Sequence, residues 1–248
     1  MSVDEICEKY GIKDYTINDD NSIDVDGHVF LGTYDLNADI GYLDELPLNF
    51  NEVTGDFYCN EHVLTTLKGS PKWVGGSFYC NDNVLTSLEY SPVYVGESFH
   101  CGSNKLTDLK FSPESVGGGF YCNSNKLTSL SGSPKSINHD FYCSDNKLTD
   151  LKECPEEVGG SFWFTDNKIY DLKEFPKSVG GNVGLKNNPI GSIFQFNDIN
   201  NDIIKAFNTF KVLKDGVINL KRLKYVIYDL FDEFIYLHLV SEYYKIKK

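Results

Sequence analysis

A period of 21 residues runs through most of this chain and constrains its fold more than any other feature. Six prolines are spaced by this step: Pro71, Pro92, Pro113, Pro134, Pro155 and Pro176. Five cysteines keep the same step: Cys59, Cys80, Cys101, Cys122 and Cys143. Short units repeated in this way cannot bury an apolar face alone, so they stack on one another. The sequence therefore predicts a repeat solenoid of short coils.

Other positions follow the same period and define the coil as F-x-C-x-x-N-x-L-x-x-L-x-x-x-P-x-x-V-G-G-x. The alternation F-x-C predicts a short strand with Phe and Cys pointing inward. The Asn follows where the chain turns, and its amide can bond backbone groups of its own and the adjacent coil. The two Leu fill the interior, and Pro fixes an extended return path on the convex side. We expect the glycine pair, as in Gly75 and Gly76, to allow a tight bend back into the strand.

The segment F-x-C-x-x-N-x-L-x-x-L resembles the leucine-rich-repeat pattern L-x-L-x-x-N-x-L, with Phe and Cys in the first two Leu positions. The short repeat with its proline resembles the bacterial type of about 20 residues. Copies such as NKLTSLSGSPKSI and VGGSFYC, after the opening NSIDVDGHVFL, are similar to leucine-rich-repeat-like proteins of tailed bacteriophages and prophages. The resemblance covers roughly residues 15–195. It implies a horseshoe fold and a phage origin, and it implies no activity.

The predicted fold class is an α+β repeat solenoid, a leucine-rich-repeat-like horseshoe with short parallel strands on its concave face. Residues 1–35 are predicted to form an N-terminal cap, with a short helix over residues 3–10 and a β-hairpin that turns at Asp26 and Gly27. Residues 36–196 are predicted to form about eight coils. The first coil is degenerate, with these residues in register with the later columns: Leu36, Ala38, Leu43, Leu46 and Val53.

Residues 197–248 carry a different pattern, and we predict a C-terminal helical cap. Apolar residues recur there at helical spacing, first from Ile203 to Phe210 and then from Leu220 to Phe234, with Asn219 as the N-cap of the second helix. A solenoid end needs a polar cover, which favours the cap interpretation. The alternative is that this helix pair is itself a partner-binding element.

The residue between the inward Phe and Cys should face outward from each strand, on the concave surface. Tyr and Trp are frequent in binding hot spots, whereas a cross-strand ladder of rings can also serve packing alone. We predict a partner-binding surface formed by Tyr58, Tyr79, His100, Tyr121, Tyr142 and Trp163 with the neighbouring Asn81 and Asn123. An acidic edge beside it is predicted from Glu61, Asp82, Asp145 and Asp166, which could steer a basic partner or merely suit a solvated turn.

Composition and motifs argue against catalysis and against several classes of ligand. We predict no catalytic residues, no metal site and no cofactor, since nucleotide-loop, hydrolase and zinc-protease motifs are missing from the sequence. The cysteine column is interpreted as packing, and His100 and Cys101 should lie on opposite faces of their strand. The net charge of −13 disfavours direct nucleic-acid binding. No long apolar stretch or secretion signal is evident, so we expect no membrane partner and a cytoplasmic location, in the bacterial host if phage-encoded.

These observations favour a non-enzymatic protein-binding module. If the phage resemblance holds, a host defence or regulatory protein that the module binds and inhibits is a natural target. The alternatives are a virion or structural component and an acidic mimic of nucleic acid. Some bacterial effectors with similar repeats carry a ubiquitin-ligase domain with a catalytic cysteine after the repeats. This chain has no Cys after Cys154, so we do not expect ligase activity.

Overall fold

The computed structural model describes residues 1–31 and 41–192, together with three short strands between residues 213 and 247. Helix α1 (Val3–Lys9) opens the chain. The Ser2 hydroxyl accepts a hydrogen bond from the Glu5 N–H, and the Glu5 carboxylate accepts one from the Ser2 N–H, which forms a capping box. Strands β1 (Tyr15–Ile17) and β2 (Ile23–Val25) then pair as an antiparallel hairpin. The predicted helix is present, whereas the observed hairpin turns between Ile17 and Ile23.

From β2 to residue 192 the described chain is a parallel β-solenoid, so the prediction of a repeat solenoid is confirmed. Each coil gives one short strand to a first sheet of eight strands, in which successive coils are neighbours. Its strands are β3 (Val29–Phe30), β5 (Phe57–Tyr58), β7 (Phe78–Tyr79), β9 (Phe99–His100), β11 (Phe120–Tyr121), β13 (Phe141–Tyr142), β15 (Phe162–Trp163) and β17 (Val183–Gly184).

A second sheet runs along the return path of the coils, for which the sequence predicted only extended chain and a turn. It continues from β2 through β4 (Phe50–Val53), β6 (Trp73–Val74), β8 (Tyr94–Val95) and β10 (Ser115–Val116). It resumes as a separate three-stranded sheet of β12 (Ser136–Ile137), β14 (Glu157–Val158) and β16 (Ser178–Val179). A short 3₁₀ turn (Ile190–Ser192) follows the last coil.

The core lies between the two sheets and contains the inward side chains of every coil. The Phe and Cys of the first sheet are fully buried, as at Phe78 and Cys80, and so is the Val of the second sheet, as at Val74. Both leucine columns are buried as well, as at Leu85 and Leu88. Burying one such Phe or Leu side chain contributes about 1.5–3 kcal/mol, so the repeated core is the main source of stability. The predicted alternation of inward and outward residues in the F-x-C segment is confirmed.

Buried asparagines join each coil to the one before it. The Asn104 Oδ1 atom accepts a hydrogen bond from the Leu85 N–H at 2.9 Å, and its Nδ2 donates to the Cys80, Cys101 and Gly102 carbonyls. The same pattern recurs in the other coils, at Asn83, Asn125, Asn146, Asn167 and Asn188. The predicted role of this column in bonding adjacent coils is confirmed.

The glycine pair has a different purpose from the one predicted. The first glycine of the pair has no left-handed backbone; a Cβ on Gly96 would instead lie 2.0 Å from the Gly75 carbonyl oxygen. The same close approach recurs where Gly117 stacks on Gly96 and Gly180 stacks on Gly159. Glycine is therefore needed because successive coils touch at this corner, between the second sheet and the first.

One prediction for the N-terminal cap and one for the first coil are wrong. Asp26 and Gly27 do not turn a hairpin, because β2 and β3 belong to different sheets and each pairs in parallel with the next coil. Leu36 and Ala38 lie outside the described residues, and Val29 and Leu31 fill the inward positions that were assigned to them. The later part of that coil follows the prediction: Leu43 packs against the core, and Leu46 and Val53 are buried.

The described part of the C-terminal segment consists of strands. They are β18 (Leu213–Lys214), β19 (Val217–Asn219) and β20 (Lys245–Lys247), which form a separate three-stranded sheet. Strands β18 and β19 are antiparallel, whereas β19 and β20 are parallel. Only helices were predicted for this segment, with Asn219 as a helix cap, so these strands were not expected. The predicted helices themselves, around Phe207 and Leu230, lie outside the described residues.

Candidate functional site

A continuous stack of rings covers the outward face of the first sheet, and we call it the aromatic column. Its members come from seven successive coils, one ring from each strand. Adjacent ring centroids are 4.3–6.0 Å apart and their planes differ by 24° or less. In order, the column comprises Phe30, Tyr58, Tyr79, His100, Tyr121, Tyr142 and Trp163. The structure thus brings together all six column residues predicted from the sequence and adds Phe30.

The column presents ring edges and hydroxyl groups to solvent, because each ring face lies against its neighbours. Tyr58, Tyr79, Tyr121 and Tyr142 are all half-buried. Burial raises the pKa of Tyr121 and Tyr142, and nearby Asp140 adds to the effect. Their hydroxyls are therefore protonated at neutral pH and can donate hydrogen bonds. An edge-on stack of this kind offers apolar area and a row of donors at the spacing of β-strands.

His100 occupies the middle of the column as a neutral ring. Its centroid lies 4.4 Å from that of Tyr79 and 4.3 Å from that of Tyr121. Burial lowers the pKa of His100 to about 4, from its usual value of 6.5. The ring is uncharged at neutral pH, so it behaves as a small aromatic member of the stack.

The two ends of the column are different. Phe30 is 52% exposed, its ring stacks on Tyr58 with the centroids 4.7 Å apart, and the His28 ring lies 6.0 Å away at a tilt. The signal for Phe30 was present in the sequence, because HVFL aligns with DFYC once Val29 takes the inward Phe position. At the other end the Trp163 ring lies over Gly184, where a Cβ would approach the indole to 2.1 Å. Glycine at this position is what allows the tryptophan to lie flat on the last strand.

A row of Asp and Ser side chains beside the column bonds one coil to the next. The Asp56 Oδ1 atom accepts a hydrogen bond from the Ser77 N–H at 2.7 Å, and the Ser77 hydroxyl accepts one from the Ser98 N–H at 3.2 Å. Asp140 and Ser161 repeat the arrangement further along the chain. These residues are therefore structural and are not free to bind a partner without loss of coil-to-coil bonds.

The asparagines on the opposite side of the column have unused hydrogen-bonding capacity. The Oδ1 atoms of Asn60 and Asn81 are buried and accept no hydrogen bond from the described part of the chain. The Nδ2 group of Asn81 donates to the Asp82 carboxylate at 2.7 Å. Asn123, the other predicted member of this row, is half-buried, and its Nδ2 contacts the Ser124 hydroxyl at 3.4 Å. An unpaired buried acceptor costs about 1–3 kcal/mol, so a donor from solvent, from a partner or from beyond the described residues would stabilise each of these two atoms.

The predicted acidic edge is a column of left-handed turn residues. Glu61, Asp82, Asp145 and Asp166 have φ between 53° and 60°, and Ser103 and Ser124 occupy the same position in the middle coils. Asp tolerates this conformation, which accounts for part of the pattern as turn chemistry. The negative charge is consequently split into two pairs separated by two serines. The first pair, with Tyr42 and His62, lines an open cavity of about 520 Å³.

The cysteine column lies on the inner side of the first sheet. All five thiols are fully buried and free, and burial raises the pKa of each thiol, as at Cys101. His100 is in the outward column, so the predicted separation of His100 and Cys101 on opposite faces is confirmed. A protonated inner thiol and a neutral outer imidazole do not form a nucleophile and base pair. No cluster of three or more metal-ligating side chains occurs among the described residues.

Comparison with models of known protein families gave no match to this chain, and a search of curated proteins gave none either. Within the described residues, no helix has the length and apolar character that a membrane crossing requires.

Proposed function

We propose that this protein is a non-enzymatic binding module that docks another protein on its aromatic column. The single observation that carries the proposal is the unbroken row of ring edges on the outward face of the first sheet, which extends from Phe30 to Trp163. Exposed aromatic area of this extent is a liability in solution unless a partner covers it. Tyrosine and tryptophan also contribute most to binding at protein interfaces.

The stack immobilises its side chains before a partner binds. Each ring is held between two others, with centroids such as those of Tyr58 and Tyr79 only 4.4 Å apart. Immobilising a free side chain on binding costs about 0.5–1.5 kcal/mol, and rings that are already fixed avoid most of this cost. Stacking also stabilises the sheet itself, so packing and binding both favour the same residues. The hydroxyl groups separate the two roles, because they add nothing to ring stacking but can bond a partner.

The charges beside the column favour a partner with a basic rim. Glu61 and Asp82 lie near one end of the column, and Asp145 and Asp166 lie toward the other. The whole chain carries a net charge of −13, which would accelerate the approach of a basic surface. We propose that this partner is a protein of a bacterial host and that binding inhibits it, in line with the resemblance to phage leucine-rich-repeat-like proteins. The same resemblance supports a horseshoe in which the aromatic column lies on the concave side.

The test compares two double variants of the column. Tyr79→Phe with Tyr121→Phe keeps every ring and removes two hydroxyls, whereas Tyr79→Ala with Tyr121→Ala opens the stack. Tyr170→Phe, at an exposed tyrosine outside the column, is the matched control. Full-length proteins would be used for pulldown from bacterial lysate, followed by mass spectrometry and by titration of the purified partner.

We expect the Phe double variant to weaken partner binding by about tenfold, since each lost hydrogen bond is worth about 0.5–1.5 kcal/mol. The Ala double variant should abolish binding, and the control should bind as the wild type does. Equal binding by all variants would show that the column is a packing ladder only. Release of a captured DNA-binding protein by salt, in competition with DNA, would instead favour the acidic mimic.

A further inference from the structure

Four lysines occupy the same position in four successive coils, on the side of the solenoid that follows the buried asparagines. The Lys105 N–H donates to the Leu85 carbonyl at 2.8 Å, and each of the others donates to the equivalent carbonyl of the coil before it. The four positions are therefore in register, about 4.8 Å apart along the solenoid. All four side chains are exposed. We call this set the lysine row, and it comprises Lys105, Lys126, Lys147 and Lys168.

The lysine row differs from another set of lysines that follows five residues later in the coils. Three lysines of that set are each paired with the Asp two residues before them, as between Lys110 Nζ and Asp108 Oδ2 at 3.6 Å and between Lys173 Nζ and Asp171 Oδ2 at 3.5 Å. Within the residues that the structure describes, no member of the lysine row takes part in an ion pair. The chain thus neutralises one set of lysines and not the other.

Charges of opposite sign are segregated along this side of the solenoid. The left-handed turn residue two positions before Lys105 and Lys126 is Ser103 or Ser124, whereas the same position is acidic in the two coils before and the two coils after. In the two coils before, valine takes the place of the lysine. Lys105 and Lys126 therefore lack the acidic turn residue that accompanies the other two members of the row.

The surroundings of Lys105 and Lys126 indicate the chemistry of a partner. A row of like charges favours a partner with repeated charges of the opposite sign. Proteins that bind single-stranded nucleic acid add aromatic rings that stack on the bases, but the exposed residues after these two lysines are Thr107 and Thr128. The net charge of −13 also opposes nucleic acid. An extended acidic peptide is a better fit, because its alternate carboxylates lie on one face about 6.8 Å apart, within reach of flexible lysine side chains.

We propose that the lysine row binds an extended acidic segment of another protein. The segment lies along the solenoid axis, so that its carboxylates meet successive lysines. Lys105 and Lys126 contribute most, because no acidic turn residue accompanies them. Each contact is an exposed ion pair and is weak by itself, so the affinity comes from several pairs together and falls as salt is added. The lysine row shares no residue with the aromatic column, and this proposal does not depend on that one.

The test measures binding of a fluorescein-labelled oligoglutamate of about ten residues to the full-length protein, by fluorescence anisotropy at about 50 mM and about 150 mM salt. The decisive variant is Lys105→Gln with Lys126→Gln. Lys72→Gln with Lys135→Gln is the matched control, because it removes two exposed lysines that form no ion pair among the described residues and that lie on the return path of the coils. We expect the first variant to bind at least about fivefold more weakly than the wild type, and the control to bind within about twofold of it.

Further measurements make the result specific. Both lysine variants should unfold at the wild-type temperature, since the substituted side chains are exposed, and this excludes loss of fold as the cause. Tyr79→Phe with Tyr121→Phe should leave oligoglutamate affinity unchanged, so failure here and failure of the aromatic column as a docking face are distinguishable. An oligothymidylate of the same length should bind more weakly than oligoglutamate. Tighter binding of the oligothymidylate, no binding of oligoglutamate by the wild type, or equal losses in the row variant and the control would each overturn the proposal.

Discussion

Protonation of His100 should destabilise the folded chain at mildly acidic pH. The folded-state pKa is about 4 because of burial, whereas an unfolded chain would show the usual value of 6.5. The neutral ring is favoured in the folded state, so this stabilisation is complete above about pH 6.5 and is lost as pH falls toward about 4. A difference of this size corresponds to about 3 kcal/mol at most. Contact of the His100 imidazolium with the faces of two tyrosines would offset about 0.5–2 kcal/mol of this loss of stability.

The perturbation that isolates this contribution is His100→Tyr, which continues the column with its commonest residue. The free energy of unfolding would be measured by urea denaturation for both proteins at about pH 7 and about pH 4.5. Buried His62, whose pKa is also lowered by burial, is present in both proteins and cancels in the comparison. We expect the wild type to lose about 1–3 kcal/mol more than the variant over this interval. Parallel losses in the two proteins would refute the assignment of a neutral, stacked His100.

Three further predictions concern the contacts between coils. Asn104→Ala removes the acceptor of the Leu85 N–H and three donated bonds, and should cost about 3–5 kcal/mol in the free energy of unfolding, measured by urea denaturation. Gly159→Ala places a methyl group 2.0 Å from the Asn138 carbonyl oxygen, so the melting temperature measured by calorimetry should fall by several degrees. Cys101→Ser buries a hydroxyl in an apolar column and should cost about 1–3 kcal/mol, whereas Cys101→Ala should cost less; equal losses would contradict the packing interpretation.

The first sheet could be predicted because apolar and outward-facing residues alternate regularly in its strands. Phe78 and Cys80 alternate with Tyr79, and the 21-residue period fixes the same alternation in every coil. Asn104 was predictable for a similar reason, since a buried amide must bond backbone groups. The aromatic column followed from the alternation and the 21-residue period, and the structure confirms that its rings face outward.

The second sheet was missed because most of its strands are only two residues long and directly precede a glycine. A pair such as Trp73 and Val74 before Gly75 has the local sequence of a turn, and only stacking on the neighbouring coils makes it a strand. The break in the second sheet between β10 and β12, where Asn138 takes the position of a corner glycine, was missed for a related reason. The glycines were interpreted as turn residues, whereas they are needed because successive coils approach closely there. Phe30 escaped notice because the first coil has a longer step, and its register becomes visible only from the pairing of Val29 with Phe57.

Similar coils are stacked through equivalent asparagine bonds, so the length of this protein can change by whole coils. Recombination between two copies that gains or loses 21 residues would leave every remaining coil bonded to a neighbour of the same kind, because Asn104 and Asn125 meet equivalent backbone atoms. Such an event would lengthen or shorten the row of rings by one. A gain or loss of a single residue, by contrast, would turn tyrosines inward and phenylalanines outward. The length of the aromatic column can therefore change without any change in the contacts between the remaining coils.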